Sequence, residues 1–203
     1  MKKILLSCFF LTHSACSTVQ DHPTGDWSPR SGDVIYHTSK SSQSLAIRIA
    51  TNSEYSHMGI VFILQGEPHV LEASQPVKYT RLDRFIERGV GQNYAVQRQP
   101  SLTPDKAVEM QRYAESHLGK DYDALFAWSD RNMYCSEIVW KSFREAGIIV
   151  SETEKFSDFR ISNPIVKRIV DERWGQNLNL DQEVISPAGL FSNSSLRTVY
   201  TTY

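Results

Sequence analysis

The segment Met133-Tyr134-Cys135-Ser136-Glu137-Ile138-Val139-Trp140 holds the thiol best placed to do chemistry. The chain has three cysteines, and the other two, Cys8 and Cys16, lie in an N-terminal stretch that reads as an export signal. In an oxidising compartment a lone thiol is open to oxidation and mixed disulfides, so it is a poor choice for packing alone. Far upstream, Tyr55-Ser56-His57-Met58-Gly59-Ile60-Val61-Phe62 places a histidine at the start of an apolar strand. The two segments suggest a thiol nucleophile and an imidazole base. At the N-terminus of a helix, free backbone amides and the positive end of the dipole stabilise a thiolate, and the same amides can receive an oxyanion. The ordinary alternative is a small core residue on an amphipathic helix.

Of the other histidines, His13 falls in the leader, His22 in the segment after it, His69 beside a turn and His117 near a helix end. His37, directly after a strand, is the one rival to His57. An imidazole base needs a partner for its second nitrogen to fix tautomer and orientation. Glu72 in Val70-Leu71-Glu72-Ala73, flanked by apolar residues on the neighbouring strand, is the candidate. A hairpin that pairs Leu64 with His69 puts Glu72 opposite Val61, about 13 Å along the strand from His57. That register demands a bulge, a bend or a different pairing.

The elements that must carry these groups are legible from pattern. Asp33-Val34-Ile35-Tyr36 is a short strand, and Ser42 caps a helix with Leu45, Ala46, Ile49 and Ala50 on one face. His57 to Leu64 is apolar without alternation, as in a strand buried on both faces. Gln65-Gly66-Glu67-Pro68 reads as a turn, with a returning strand from His69 to Ala73. Leu82, Phe85 and Ile86 mark a short helix stopped at Gly89, and Tyr94-Ala95-Val96 is another strand. Thr103-Pro104 opens a helix that runs toward Gly119. A further helix starts near Tyr134, buries Ile138, Val139, Phe143 and Ala146, and stops at Gly147. Asn163-Pro164 and Ser186-Pro187 repeat the capped start. Strands grouped in the middle with helices on either side imply an α+β domain with a mainly antiparallel sheet.

The chain has 203 residues, 40% hydrophobic and 11% aromatic, enough for one cored domain plus a leader. A net charge of -1 with mixed signs gives no nucleic-acid footprint. Lys2 and Lys3 precede the apolar run Ile4 to Leu11, which as a helix rises only about 12 Å against a ~30 Å bilayer core. This is a signal peptide over residues 1–16 and not a spanning helix. Thr12-His13-Ser14-Ala15-Cys16 resembles a bacterial lipobox, with Cys16 as the lipid anchor, although His13 stands where that motif carries an aliphatic residue. Ordinary signal-peptidase cleavage nearby is the alternative. Residues 17–30 read as a tether and residues 31–203 as the folded domain.

The blocks GDVIYHTSKSSQSLAIRIAT, EYSHMGIVF, VLEASQPVKYTRL, LGKDYDALFAWSD and YCSEIVW resemble the YiiX and YaeF group of permuted papain-like enzymes in the NlpC/P60 superfamily. The resemblance spans most of residues 31–190. It implies a circularly permuted papain-like α+β fold and a triad ordered histidine, acidic residue, cysteine, matching His57, Glu72 and Cys135. It also implies hydrolysis of an amide in a peptide or amino-acid conjugate, peptidoglycan fragments included, in the periplasm or cell envelope and without a cofactor. Within the matching Gly119-Lys120-Asp121-Tyr122-Asp123 block, Tyr122 is expected near the cleft with Tyr134, in substrate-binding or oxyanion roles. Plain packing is the alternative for both tyrosines. Three other readings stay open: acyl transfer to or from a lipid, a non-catalytic envelope-binding module, and a metal site built from His37, His57, Glu72 and Cys135. Close zinc-type spacings, G-x-S-x-G and P-loop signatures are absent from the sequence.

Overall fold

The computed structural model describes residues 27–203. The leader, Cys8, Cys16 and most of the tether lie outside the described residues. Among the described residues, the Trp27 indole donates to Asp33 (3.0 Å) and packs on Tyr94 and Tyr200. No helix among the described residues is long and apolar enough to cross a membrane.

One six-stranded antiparallel sheet organises the domain, in the order β4-β3-β2-β1-β5-β8. Its strands are β1 (Val34–His37), β2 (His57–Leu64), β3 (Glu67–Ala73), β4 (Val77–Arg81), β5 (Tyr94–Arg98) and β8 (Arg197–Thr201). The helices are α1 (Ser42–Thr51), α2 (Leu82–Arg88), α3 (Pro104–Glu115), α4 (Cys135–Glu145), α5 (Pro164–Trp174) and α6 (Pro187–Ser192). A small ribbon pairs β6 (Glu154–Lys155) with β7 (Glu183–Val184). The architecture is α+β with helices packed on an antiparallel sheet.

Both sheet faces are covered, which explains the unbroken apolar run of β2. Met58, Ile60 and Phe62 join Leu71, Tyr36 and the α4 residues Ile138, Val139 and Phe143 in the main core. Val61 faces the other way, into a smaller cluster with Ile35, Val70, Leu82, Phe85 and Val96 under α2. His57 is the first residue of β2 and pairs with His37, the last of β1, so both imidazoles sit at one end of the sheet.

The caps follow the sequence signals, with one shift. Ser41, not Ser42, caps α1, accepting from Ser44 N (3.2 Å). Thr103, Asn163 and Ser186 cap α3, α5 and α6, each with proline at the first turn. Helix α3 ends at Glu115, four residues before Gly119. Strands β4, β6, β7 and β8 have no counterpart in the pattern reading.

Candidate functional site

Helix α4 begins at Cys135, so the thiol occupies the first helical position. Tyr134 precedes it, and its amide donates to Glu137 Oε2 (3.3 Å), which closes the helix entry. The apolar side of α4 presses this turn onto β2 at the end where His57 starts. Cys135 is 3% exposed and the only free cysteine among the described residues. What surface it has opens onto a cavity described below.

Glu72 reaches His57 because the β2–β3 hairpin is tighter than the composition of its loop suggests. Leu64 pairs with Glu67, leaving a two-residue turn of Gln65 and Gly66, both with positive φ (52° and 86°). Such primed turns match strand twist, and glycine takes the second position without strain. Glu67 and Pro68, read from sequence as turn residues, belong to β3. The register therefore moves two residues from the Leu64–His69 pairing and brings Glu72 opposite Gly59 rather than Val61. His57 and Glu72 are now two residues apart along the sheet, about 7 Å. Gly59, directly opposite Glu72, lets the two strands close at this point, since a Cβ there would sit 2.5 Å from Val70 Cγ1 and 2.7 Å from Leu71 O. His57 Nε2 donates to Glu72 Oε2 at 2.6 Å.

That bond leaves Nδ1 of His57 for the thiol. Burial opposes an imidazolium here, but hydrogen bonds and charge from Cys135 and Glu72 outweigh it and raise the His57 pKa to about 9. Glu72 is 0% exposed. Burial alone would raise its pKa, yet the His57 bond, with His57 and Arg88 charge and the Thr80 hydroxyl, lowers it to about 2. Its Oε1 accepts from Thr80 Oγ1 (2.5 Å) and from the Arg88 guanidinium, so both carboxylate oxygens are engaged.

His37 is packed flat on Phe85, centroids 4.3 Å apart, and backs the His57 ring at 5.3 Å. Burial, then the charges of His57 and Arg88, lower its pKa to about 3. It is a neutral wall behind His57.

Tyr122 and Tyr134 part company. Tyr122 is joined to Met133 by a parallel bridge that draws the Gly119–Asp123 segment alongside the approach to Cys135. Gln43 Nε2 donates to the Tyr122 hydroxyl (3.2 Å), and Arg173 holds Gln43 through its Oε1 (2.8 Å). The Tyr122 hydroxyl thus accepts from Gln43 and keeps its proton for another partner. Burial, then charge at Cys135, raise its pKa. The Tyr134 hydroxyl instead accepts from Ile185 N (3.1 Å), and its ring meets Phe126 edge-on. Sequence reading missed Gln43, Arg88 and Arg173. Polar residues on exposed helix faces look alike until the fold aims them.

Two spaces meet at this site. A polar groove of about 770 Å³ is lined by His57, His37, Ser39, Lys40, Gln75 and Arg88 among others. An apolar cavity of about 100 Å³ lies under α1, α4 and α5, with Cys135, Tyr134, Phe126, Val166, Val170 and Trp174 in its wall. Gln43, Ile47 and Tyr122 border both. No group of three or more His, Cys, Asp or Glu among the described residues is arranged to hold a metal ion.

Residues 28–200 match the model of the permuted papain-like amidase enzymes, the YaeF/YiiX or C92 family. The chain is 41% identical over 179 residues to YiiX of Escherichia coli strain K12, covering 87% of this chain and 89% of that protein. A crystal structure described as metalloprotein YiiX from Escherichia coli O157:H7 is similar with a TM-score of 0.84 at 41% identity, over 87% of this chain and 99% of that one. With its match running from one residue past Trp27 into the last strand, the chain belongs to the permuted papain-like amidase family.

Proposed function

We propose that the chain is an exported cysteine hydrolase that cleaves an amide bond in a peptide or amino-acid conjugate, with peptidoglycan fragments as one source. The carrying observation is His57, bonded to Glu72 through Nε2 and with its pKa raised by Cys135, which stands at the head of α4. In this reading His57 already holds the proton of the reacting pair, and Sγ attacks the carbonyl carbon. The oxyanion is met by backbone N–H at the start of α4 and by the Tyr122 hydroxyl. His57 gives the proton to the leaving nitrogen as the C–N bond breaks. Water then adds to the thioester, with His57 as base, and releases the acid and the thiol. Glu72 orients His57, and Tyr134 shapes the cavity wall with its ring.

The YiiX crystal structure carries the description metalloprotein. In this chain His57 Nε2 and both Glu72 oxygens are bonded to protein groups, and the described residues offer no group of three or more His, Cys, Asp or Glu to surround a metal, so the thiol and imidazole carry the reaction in this reading. A panel of cell-wall peptides, aminoacyl amides and acyl esters tests the reading. Amide turnover lost in Cys135→Ala and His57→Ala is the expected result. Binding without turnover in the unmodified protein would replace the hydrolase with an envelope-binding module.

A further inference from the structure

The Tyr122 hydroxyl stands where the two spaces meet, and the polarity of its hydrogen bond decides what it can do. Tyr122 borders both the cavity that Cys135 lines and the groove that His57 lines. Its backbone is held from two sides, by the bridge to Met133 and by Gln75 Oε1, which accepts from Tyr122 N (2.8 Å). Its hydroxyl accepts from Gln43 Nε2 (3.2 Å), while Gln43 Oε1 accepts from Arg173 Nη2 (2.8 Å). Arg173 Nη1 also donates to Ala124 O (3.0 Å), two residues beyond Tyr122. The first turn of α1 and the last turn of α5 thus converge on one hydroxyl.

A carboxamide can present either end to a tyrosine, with opposite results. An amide oxygen would take the phenolic proton, whereas an amide NH2 donates to the hydroxyl and leaves that proton free. A guanidinium has N–H donors and no acceptor, so Arg173 admits only the amide oxygen on its side. Gln43 must then turn its NH2 toward Tyr122. Burial, then charge at Cys135, keep the phenol protonated against the Gln43 bond and the Arg173 charge. Arg173 is a poor choice for packing alone. It is partly buried beside an apolar wall, and both of these bonds go to neutral acceptors, which offset the desolvation of a cation less well than a carboxylate.

Resting on the hydrolase reading, we propose that Arg173 and Gln43 are positioning residues that fix the Tyr122 hydroxyl as a hydrogen-bond donor to the oxyanion formed at Cys135. As Sγ bonds to the carbonyl carbon, the C=O electron pair moves onto oxygen, and the hydroxyl bonds to that oxygen without giving up its proton. The pair returns as the C–N bond breaks, and the leaving nitrogen takes its proton from His57.

Gln43→Glu tests the polarity with almost no change of shape. Its carboxylate only accepts, so it keeps Arg173 and draws the Tyr122 proton away from the site. Amide turnover is measured together with affinity for an N-acetyl amino aldehyde, whose hemithioacetal with Cys135 carries its oxygen at the oxyanion position. The expected result is a roughly 100-fold fall in kcat in both Gln43→Glu and Tyr122→Phe, with KM little changed and aldehyde affinity falling in step. The double variant should be no slower than either single one, whereas a plain charge effect of the new carboxylate would add to the loss. Arg173→Met frees the amide to rotate and should lose about tenfold; Arg173→Lys, another donor-only partner, should restore most of it. This second pair reads the same polarity if Gln43→Glu folds poorly. Turnover in Gln43→Glu equal to the unmodified protein, or a loss that multiplies with that of Tyr122→Phe, overturns the relay and leaves the hydrolase standing. Aldehyde affinity that depends on Gln43, with no amide cleaved by the unmodified protein, supports the relay and overturns amide hydrolysis instead. Neither turnover nor an aldehyde adduct in the unmodified protein overturns both.

Discussion

At the scale of single residues, His57 is where two competing effects are decided. Burial favours a neutral ring, and the bonds to Cys135 and Glu72 favour a charged one; the second wins, up to about pH 9. NMR titration of the His57 ring should therefore show a value well above the usual 6.5. Cys135→Ala and Glu72→Gln should each move it down, by about one unit or more, and an unmoved titration would separate the three groups. The same shifts set a stability window. His57, raised from 6.5, contributes stability that is complete below pH 6.5 and is lost as pH rises through about 9. Glu72, lowered from 4.5, contributes above pH 4.5 and loses its share as pH falls toward about 2. The stability gap between the unmodified protein and His57→Ala, read by denaturant unfolding, should be widest near pH 6 and narrow above pH 9.

At the scale of elements, the β2–β3 hairpin sets the site. Gly59→Ala forces a Cβ against Val70 and the Leu71 carbonyl, and the backbone oxygen cannot swing away. It should destabilise the fold by about 1–3 kcal/mol and disconnect Glu72 from His57, lowering turnover as well as the melting temperature. A change in melting temperature alone would mean that the hairpin supports the fold without setting the site. The capped helices were legible because cap, proline and apolar spacing agree locally, as at Thr103-Pro104 and Asn163-Pro164. Cys135, His57 and Glu72 stood out as chemistry-bearing residues in otherwise apolar segments. The register did not, because Glu67-Pro68 has turn composition while the positive φ at Gln65 and Gly66 is a property of the folded hairpin. Strand β8 was missed too. Arg197-Thr198-Val199-Tyr200-Thr201 is half-polar and edge-on, and it becomes a strand by pairing with β5.

At the scale of the whole molecule, the permuted order brings a histidine from the sheet and a cysteine from a later helix to one sheet end, with an apolar cavity on one side and a polar groove on the other. The export proposal concerns the part of the chain before Trp27. The intact mass of protein recovered from the cell envelope should lack the leader, with added lipid on Cys16 marking the lipoprotein route and an unmodified new terminus marking ordinary cleavage. Retention of Met1 would contradict export. The pairing of thiol and imidazole is tested most directly by iodoacetamide labelling of Cys135 from pH 5 to 10, compared with His57→Ala and Glu72→Gln. Fast labelling at neutral pH that falls roughly tenfold or more without His57, and by less without Glu72, is the predicted result. Labelling that is slow in the unmodified protein and indifferent to His57 would make Cys135 a packing residue and remove the nucleophile.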